Sequence, residues 1–211
     1  SGSDADGIPD GDDDVTFPAA GTYTSGVSLN GADRAANSLT FATITGFTLA
    51  GVGNTLDLTS GSVTRQNVTG NEVKQIITCN LNLLPVAGTN TWSISGYRAA
   101  DNSTLELRGA LTRSVPITLT STTVNGEGAL GIWAAGGLGS GDLTLGANAS
   151  LLFGGVEQTV INPIALVGAG DRHLSAYMPV TLAGGIDIPA GTRLRFGYHN
   201  NVQHLLILDA P

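Results

Sequence analysis

The amino-acid sequence predicts an all-β protein, most specifically a right-handed parallel β-helix, with a β-sandwich as the alternative architecture. Three observations support this: the composition, an alternation of apolar residues, and the recurrence of one short pattern. The 211 residues include 30 glycines, and only 12% are charged, whereas average proteins have about 7% glycine and roughly 25% charged residues. Helix-favouring Glu, Lys, Gln and Met are scarce, so the composition favours strands and tight turns.

Apolar residues occupy every second position in many short stretches, which is the period of a strand with one buried face. Gly, Asn, Asp or Pro separates these stretches about every 8–12 residues, a spacing typical of all-β proteins. The clearest apolar pairs are Leu39 and Phe41, Leu56 and Leu58, Leu105 and Leu107, Leu143 and Leu145, Leu151 and Phe153, and Leu194 and Phe196. We expect both members of each pair to face the core.

The same polar–apolar alternation recurs along the chain, and several gaps are about one or two multiples of 20 residues. A solenoid in which each coil covers the apolar face of its neighbour produces such imperfect self-similarity. Asn37, Asn54 and Asn102 precede strands, at corners where asparagine tolerates left-handed backbone. The recurrence therefore favours the parallel β-helix over the sandwich.

The distribution of charge argues against two classes of protein. Six of the 17 acidic residues lie in the first 14 positions, and the chain has only nine Lys and Arg in total, which are scattered. Nucleic-acid binding requires clustered cations, so no nucleic-acid partner is expected. No apolar run is long enough for a membrane-spanning helix. We divide the chain into an acidic segment or first-coil entry at 1–14 and a single β-helix domain at 15–211, with Cys79 as a small core residue.

Several stretches resemble a known family. Four segments have this resemblance: 14–17, 32–41 (ADRAANSLTF), 47–64 (FTLAGVGNTLDLTSGSVT) and 123–163. They resemble the autotransporter-associated β-strand repeat family. In 123–163 the similar motifs are a turn, the triplet ALG, the strand GDLTL and the segment INPI. The resemblance implies an extracellular right-handed β-helix on a bacterial surface, of the kind that forms the stalks of long secreted proteins.

The acidic start offers one candidate metal site. The segment resembles a thrombospondin type 3 calcium loop, and calcium takes six to eight oxygen ligands that carboxylates at alternating positions can supply. The candidate calcium ligands are Asp4, Asp6, the carbonyl of Ile8, Asp10 and Asp13. In the competing interpretation, Pro9 to Phe17 form the entry into the first coil, and the aspartates are turn and solvent residues.

No acid–base cluster indicates catalysis, so the chain is predicted not to be an enzyme. Away from the amino-terminal segment the acidic residues are single, and Asp57, Glu106 and Asp187 are expected to be solvated on outward strand positions. Consecutive residues point in different directions, so the triplet 171–173 (Asp-Arg-His) is expected to be a polar corner between coils. Trp92 is expected in the core, whereas Trp133 in a glycine-rich loop is the better candidate for a surface contact.

These features predict an extracellular structural or adhesive β-helix of a bacterial surface, either a stalk segment or a protein that assembles end to end into a filament. The expected partners are other copies of the chain, contacted through the terminal coils and the apolar run from Gln203 to Leu208. The alternative is a carbohydrate-binding or carbohydrate-cleaving β-helix with a polysaccharide partner. That alternative requires clustered acids or exposed aromatic residues on one outer face.

Overall fold

The computed structural model describes residues 9–18, 27–42, 46–66, 74–84, 90–96, 105–122, 129–197 and 206–208. Within these residues the chain forms 21 β-strands and no helix. The strands are β1 (Asp14–Phe17), β2 (Val27–Ser28), β3 (Arg34–Phe41), β4 (Phe47–Ala50), β5 (Thr55–Arg65), β6 (Gln75–Ile77), β7 (Asn80–Leu83), β8 (Asn90–Ile94), β9 (Leu105–Leu107), β10 (Leu111–Thr112), β11 (Ile117–Thr120), β12 (Ala129–Ile132), β13 (Leu143–Leu145), β14 (Ser150–Phe153), β15 (Gln158–Val160), β16 (Ile164–Leu166), β17 (Asp171–Ala176), β18 (Val180–Leu182), β19 (Ile186–Asp187), β20 (Arg193–Phe196) and β21 (Leu206–Leu208).

The strands form three parallel sheets of a solenoid, two of which run along the described chain, whereas the third is confined to its last coils. Sheet A has ten strands, β1, β3, β5, β7, β8, β10, β11, β13, β16 and β19. Sheet B has eight, β2, β4, β6, β9, β12, β14, β17 and β20, and sheet C contains β15, β18 and β21. Every pairing between described strands is parallel.

Away from the sheet edges, a strand pairs with strands from the preceding and following coils. Leu130 of β12, for example, pairs with Leu105 on one side and with Leu151 on the other. Parallel ladders contributed by successive coils define a parallel β-helix, so that prediction is confirmed. The β-sandwich alternative is wrong, because sandwiches are built from antiparallel sheets.

The long strand β5 pairs with two successive strands of sheet A. Its first part, residues 55–58, pairs with β7, and its last part, residues 63–65, pairs with β8. Gly61 lies between the two parts with φ 64°, a left-handed conformation that glycine adopts without strain. A Cβ atom there would stand 2.5 Å from the side-chain nitrogen of Asn90, so the close approach of the next coil also requires glycine.

The interior is a stack of apolar side chains, one from each coil. The column beneath sheet A consists of Leu39, Val63, Trp92, Leu119, Leu145 and Leu166, all buried. Burying each such side chain contributes roughly 1.5–3 kcal/mol. The core positions predicted for Trp92 and Cys79 are confirmed, and burial raises the pKa of the Cys79 thiol to about 11. The indole N–H of Trp92 donates to the carbonyl of Gly61 at 2.8 Å.

Five of the six predicted apolar pairs are buried, and the sixth is not. Leu194 is half-buried and Phe196 is 47% exposed. Both lie on β20, which is at the edge of sheet B and pairs only with β17 among the described strands. A strand at the end of a stack receives cover from one coil instead of two.

One of the predicted asparagine corners is placed differently, and a second is confirmed in part. Asn37 lies inside β3, at the bulge between Ala36 and Ser38. Asn54 does precede a strand, because its N–H donates to the Gly51 carbonyl at 2.8 Å in the turn before β5, but its backbone is not left-handed. The described asparagines with left-handed backbone are Asn30 and Asn148 instead. Asn102 lies outside the described residues.

Candidate functional site

Two of the predicted calcium ligands lie in the turn that leads into β1. The Asp10 carboxylate accepts the Asp12 N–H at 3.1 Å, and the Asp13 carboxylate accepts the Asp10 N–H at 3.1 Å. Asp4, Asp6 and Ile8 lie outside the described residues. Within the described ranges, no group of three or more His, Cys, Asp or Glu side chains is arranged to hold a metal ion. Asp10 and Asp13 thus have turn roles, and calcium binding stays a prediction.

The carboxyl groups of this turn have environments that differ from one residue to the next. Asp10 raises the pKa of Asp12 through a side-chain hydrogen bond and through its like charge. The Asp14 carboxylate accepts hydrogen bonds from the Ser38 hydroxyl at 2.5 Å and the Asn37 amide at 2.9 Å, which lower its pKa. Asp14 therefore fastens the first described coil to the second.

Glu106 is not solvated, so its predicted place on an exposed outward position is wrong. Its side chain is 0% exposed, and its carboxylate pairs with Lys74 at 2.7 Å and with Arg108 at 2.7 Å. The reason is that strands β9, β12 and β14 of sheet B are buried on their outer side as well as on their inner side. Asp57 and Asp187 do face outward: Asp57 is half-buried and accepts a hydrogen bond from Asn82 at 2.9 Å, and Asp187 is exposed.

The triplet at 171–173 begins strand β17 and does not form the predicted corner. Asp171 faces outward and pairs with Arg193 at 2.8 Å and with Arg195 at 2.6 Å. Arg172 is buried and donates to backbone carbonyls, including Gly170 at 2.6 Å and Gly168 at 2.8 Å. Because alternate side chains of a strand point to opposite faces, Arg172 faces away from Asp171 and His173.

Two further buried arginines also bind the backbone. Arg65 donates to the Gln75 side chain at 3.1 Å and to the Ser95 carbonyl at 3.1 Å. Arg113 donates to the carbonyls of Val115 at 2.6 Å and Asp142 at 3.1 Å. Burial lowers the pKa of both Arg65 and Arg113 to about 10. These side chains join neighbouring coils, a role that the sequence analysis did not assign to them.

The outer side of sheet A carries two columns of hydroxyl groups, which we call the hydroxyl face. Its members are Thr16, Ser38, Thr40, Ser62, Thr64, Thr91, Ser93, Thr118, Thr120 and Thr144. In one column Ser38 pairs with Ser62, and Thr118 lies between Thr91 and Thr144. Trp92 pairs with Val63. The residues that precede them, Thr91 and Ser62, are therefore neighbours in this column.

The second column is continuous over five coils. Thr40 pairs with Thr16 on one side and with Thr64 on the other. Ser93 then pairs with Thr64 on one side and with Thr120 on the other. In the sequence, the hydroxyl face corresponds to triplets in which a hydroxyl residue stands on each side of an inward apolar residue. Only the strand register shows that these triplets lie side by side in successive coils.

The hydroxyl face is half-buried to exposed and lacks charge between its ends. At one end of the first column, Asp14 pairs with Ser38. At the other end, Thr144 pairs with Ala165, which in turn pairs with Asp187. Within the described part of the chain, the Ser38 hydroxyl donates to Asp14, and that of Thr120 reaches the Trp92 carbonyl at 3.4 Å. The other eight hydroxyls have no hydrogen-bond partner there, so their bonds are left to solvent.

Two concavities adjoin these elements. A cavity of about 290 Å³ at the β1 end of the solenoid has mainly apolar walls, among them Val15, Phe17 and Leu49. A groove of about 430 Å³ lies along β13, β16 and β19, and its lining includes Asp142, Ala165 and Asp187. Trp133, the predicted surface aromatic, is half-buried with its ring centroid 6.1 Å from that of Tyr177.

No helix among the described residues has the length and apolar character needed to cross a membrane. Comparison with family models, curated proteins and solved structures found no match for this chain.

Proposed function

We propose that this chain is a non-catalytic structural and adhesive β-solenoid, extracellular on a bacterial surface, that presents the hydroxyl face on a rigid rod. The observation that carries the proposal is the unbroken stacking of parallel strands beneath a long, uncharged outer face. The resemblance to the autotransporter-associated β-strand repeat family supports the location.

The buried polar groups support a structural role, because they join coils to one another. The Gln158 amide donates to the Ile132 carbonyl at 2.9 Å, and the Asn162 amide donates to the Gly141 carbonyl at 2.7 Å. Each such bond contributes about 1 kcal/mol net, and leaving its buried group unpaired costs more. Polar side chains used in this way favour a rod whose coils cannot slide past each other.

Self-association is part of the proposal. Strands β1 and β2 each pair with one neighbour among the described strands, and so do β19 and β20. Such edges present backbone groups that can pair with a further strand, and the cavity beside Val15 and Phe17 offers apolar surface at one end. End-to-end contact between copies through these edges would extend sheets A and B.

A second candidate function is carbohydrate binding in the groove between Asp142 and Asp187. Carboxylates are strong hydrogen-bond acceptors for the hydroxyl groups of sugars. Both side chains are exposed, and the groove opens beside the hydroxyl face at Thr144. This candidate places the ligand at one end of sheet A.

Negative-stain electron microscopy combined with a polysaccharide assay tests the proposal. We expect straight rods that join end to end as the protein concentration rises, and no new reducing ends or unsaturated sugars after incubation with a panel of polysaccharides. Release of sugar products would contradict the non-catalytic role. Compact particles that stay single at every concentration would contradict the rod and its self-association.

A further inference from the structure

The hydroxyl face is a two-dimensional lattice whose repeats are set by the backbone. Neighbouring strands of a sheet are about 4.7–4.9 Å apart, and residues i and i+2 of one strand are separated by about 6.6–6.8 Å. Thr16 and Thr120 stand at the ends of a column of five coils, which at that spacing is about 19 Å long. The lattice is therefore roughly rectangular and several repeats long.

The side chains of this lattice are held in place from below. Each hydroxyl pair flanks one buried apolar residue, for example Leu39, Val63 or Leu119. Threonine is branched at Cβ, which restricts its χ1 rotation and fixes the methyl and hydroxyl directions. The interior beneath the strands is close-packed and has low compressibility, so the strands keep fixed positions. The hydroxyl groups therefore keep the regular spacing of the strands.

Water is the natural partner of these groups. Eight of the ten hydroxyls have no hydrogen bond within the described residues, and a hydroxyl both donates and accepts. Between Asp14 and Asp187 the two columns include no charged residue that would impose its own hydration shell. We expect such regular rows of hydroxyl and methyl groups to order water with the same repeat.

We propose that the hydroxyl face binds the surface of ice. Both repeats of the lattice are close to those of the rows of oxygen atoms on ice surfaces, so water held on the face can join the crystal. The absence of charge from the two columns between Asp14 and Asp187 fits a neutral crystal surface. A crystalline polysaccharide fits less well, because its sugar rings stack on aromatic side chains, and Trp92, the aromatic residue between Thr91 and Ser93, points into the core.

This inference rests on the adhesive part of the proposed function, since it names the ligand of the same face. The experiment measures adsorption of the labelled protein to a growing ice crystal and inhibition of ice recrystallisation. The variants are Thr64→Tyr and Thr118→Tyr in the middle of the lattice. The matched control is Thr159→Tyr, at an exposed position of β15 in sheet C. Circular dichroism and thermal unfolding verify that each variant is folded.

We expect the unmodified protein to adsorb to ice and to inhibit recrystallisation. Both activities should be lost in Thr64→Tyr and Thr118→Tyr and retained in Thr159→Tyr, because a large ring interrupts the lattice only on the hydroxyl face. The inference is overturned if the unmodified protein does not adsorb, if the control loses activity to the same degree, or if the face binds only a polysaccharide. Rods that fail to adsorb would overturn this inference alone and leave the structural role standing.

Discussion

The outer sides of sheets A and B differ although the same alternation builds both. On sheet A the outward residues of β11 are half-exposed threonines on either side of a buried leucine. On sheet B the strands β9, β12 and β14 are buried at every position, so the outward Glu106 and Leu152 are as inaccessible as the core. Alternation thus identifies which residues face inward, but it does not establish that the opposite face meets water.

The largest expected effect comes from removing the buried carboxylate of sheet B. Glu106→Ala should lower the free energy of unfolding by about 3–5 kcal/mol, because it breaks a buried ion pair by removing the carboxylate that contacts the partly buried Lys74 ammonium. Thr118→Ala, at an outward position of sheet A, is the matched control and should change stability by less than about 1 kcal/mol. Urea denaturation measures both. Equal losses of stability in the two variants would contradict the difference in burial between the outer sides of sheets A and B.

The next effect tests the apolar part of the same buried face. Leu152→Ala should lower the free energy of unfolding by about 2–5 kcal/mol, the range for truncating a leucine inside a packed core. Leu152 is 0% exposed, yet it is outside the main core cluster and faces outward in register with Gly131 and Ser175. A loss below about 1 kcal/mol in thermal or chemical unfolding would mean that this side of sheet B is open to solvent.

A smaller effect is expected from replacing hydroxyls by methyl groups on sheet A. Thr64→Val and Thr118→Val should each change the free energy of unfolding by no more than about 0.5 kcal/mol, the usual range for surface substitutions. The reason is that neither hydroxyl has a partner within the described residues. Valine and threonine both suit strands. A loss of more than about 1 kcal/mol would show that the hydroxyls bond inside the protein.

The smallest effect concerns the pH dependence of the first coil. The bonds from Ser38 and Asn37 lower the pKa of folded Asp14 below its ordinary value of 3.8. Its stabilising contribution is therefore complete above about pH 5 and is lost as the pH falls through 3.8 and below. Asp14→Asn should flatten the acid limb of a stability–pH profile in that window. An unchanged profile would mean that Asp14 does not fasten the coils together.

Much of the fold could be predicted from the sequence because it depends on local alternation. The inward pairs from Leu39 and Phe41 to Leu151 and Phe153 follow from the two-residue period alone, and so does the burial of Trp92. The burial of Glu106 could not be predicted in this way, because it depends on what covers the outer side of sheet B. A charged residue at an outward position normally indicates solvent.

The hydroxyl face could not be predicted from the sequence, for a different reason. The chain segments between coils vary in length, so the triplets Ser62 to Thr64, Thr91 to Ser93 and Thr118 to Thr120 are not evenly spaced in the sequence. Their alignment into columns appears only once the strand register is known. The arginines that join coils were missed because an isolated buried arginine has no sequence signature apart from its neighbours in space.

The most direct test of the account is a high-resolution crystal structure in which the hydroxyl face is free of lattice contacts. We predict ordered waters in rows along the two columns, hydrogen-bonded to Thr40, Thr64 and Thr118 and repeating with the spacing of the coils. Scattered water positions, or threonine side chains in mixed rotamers along the columns, would contradict the claim that this face is a rigid template for ice.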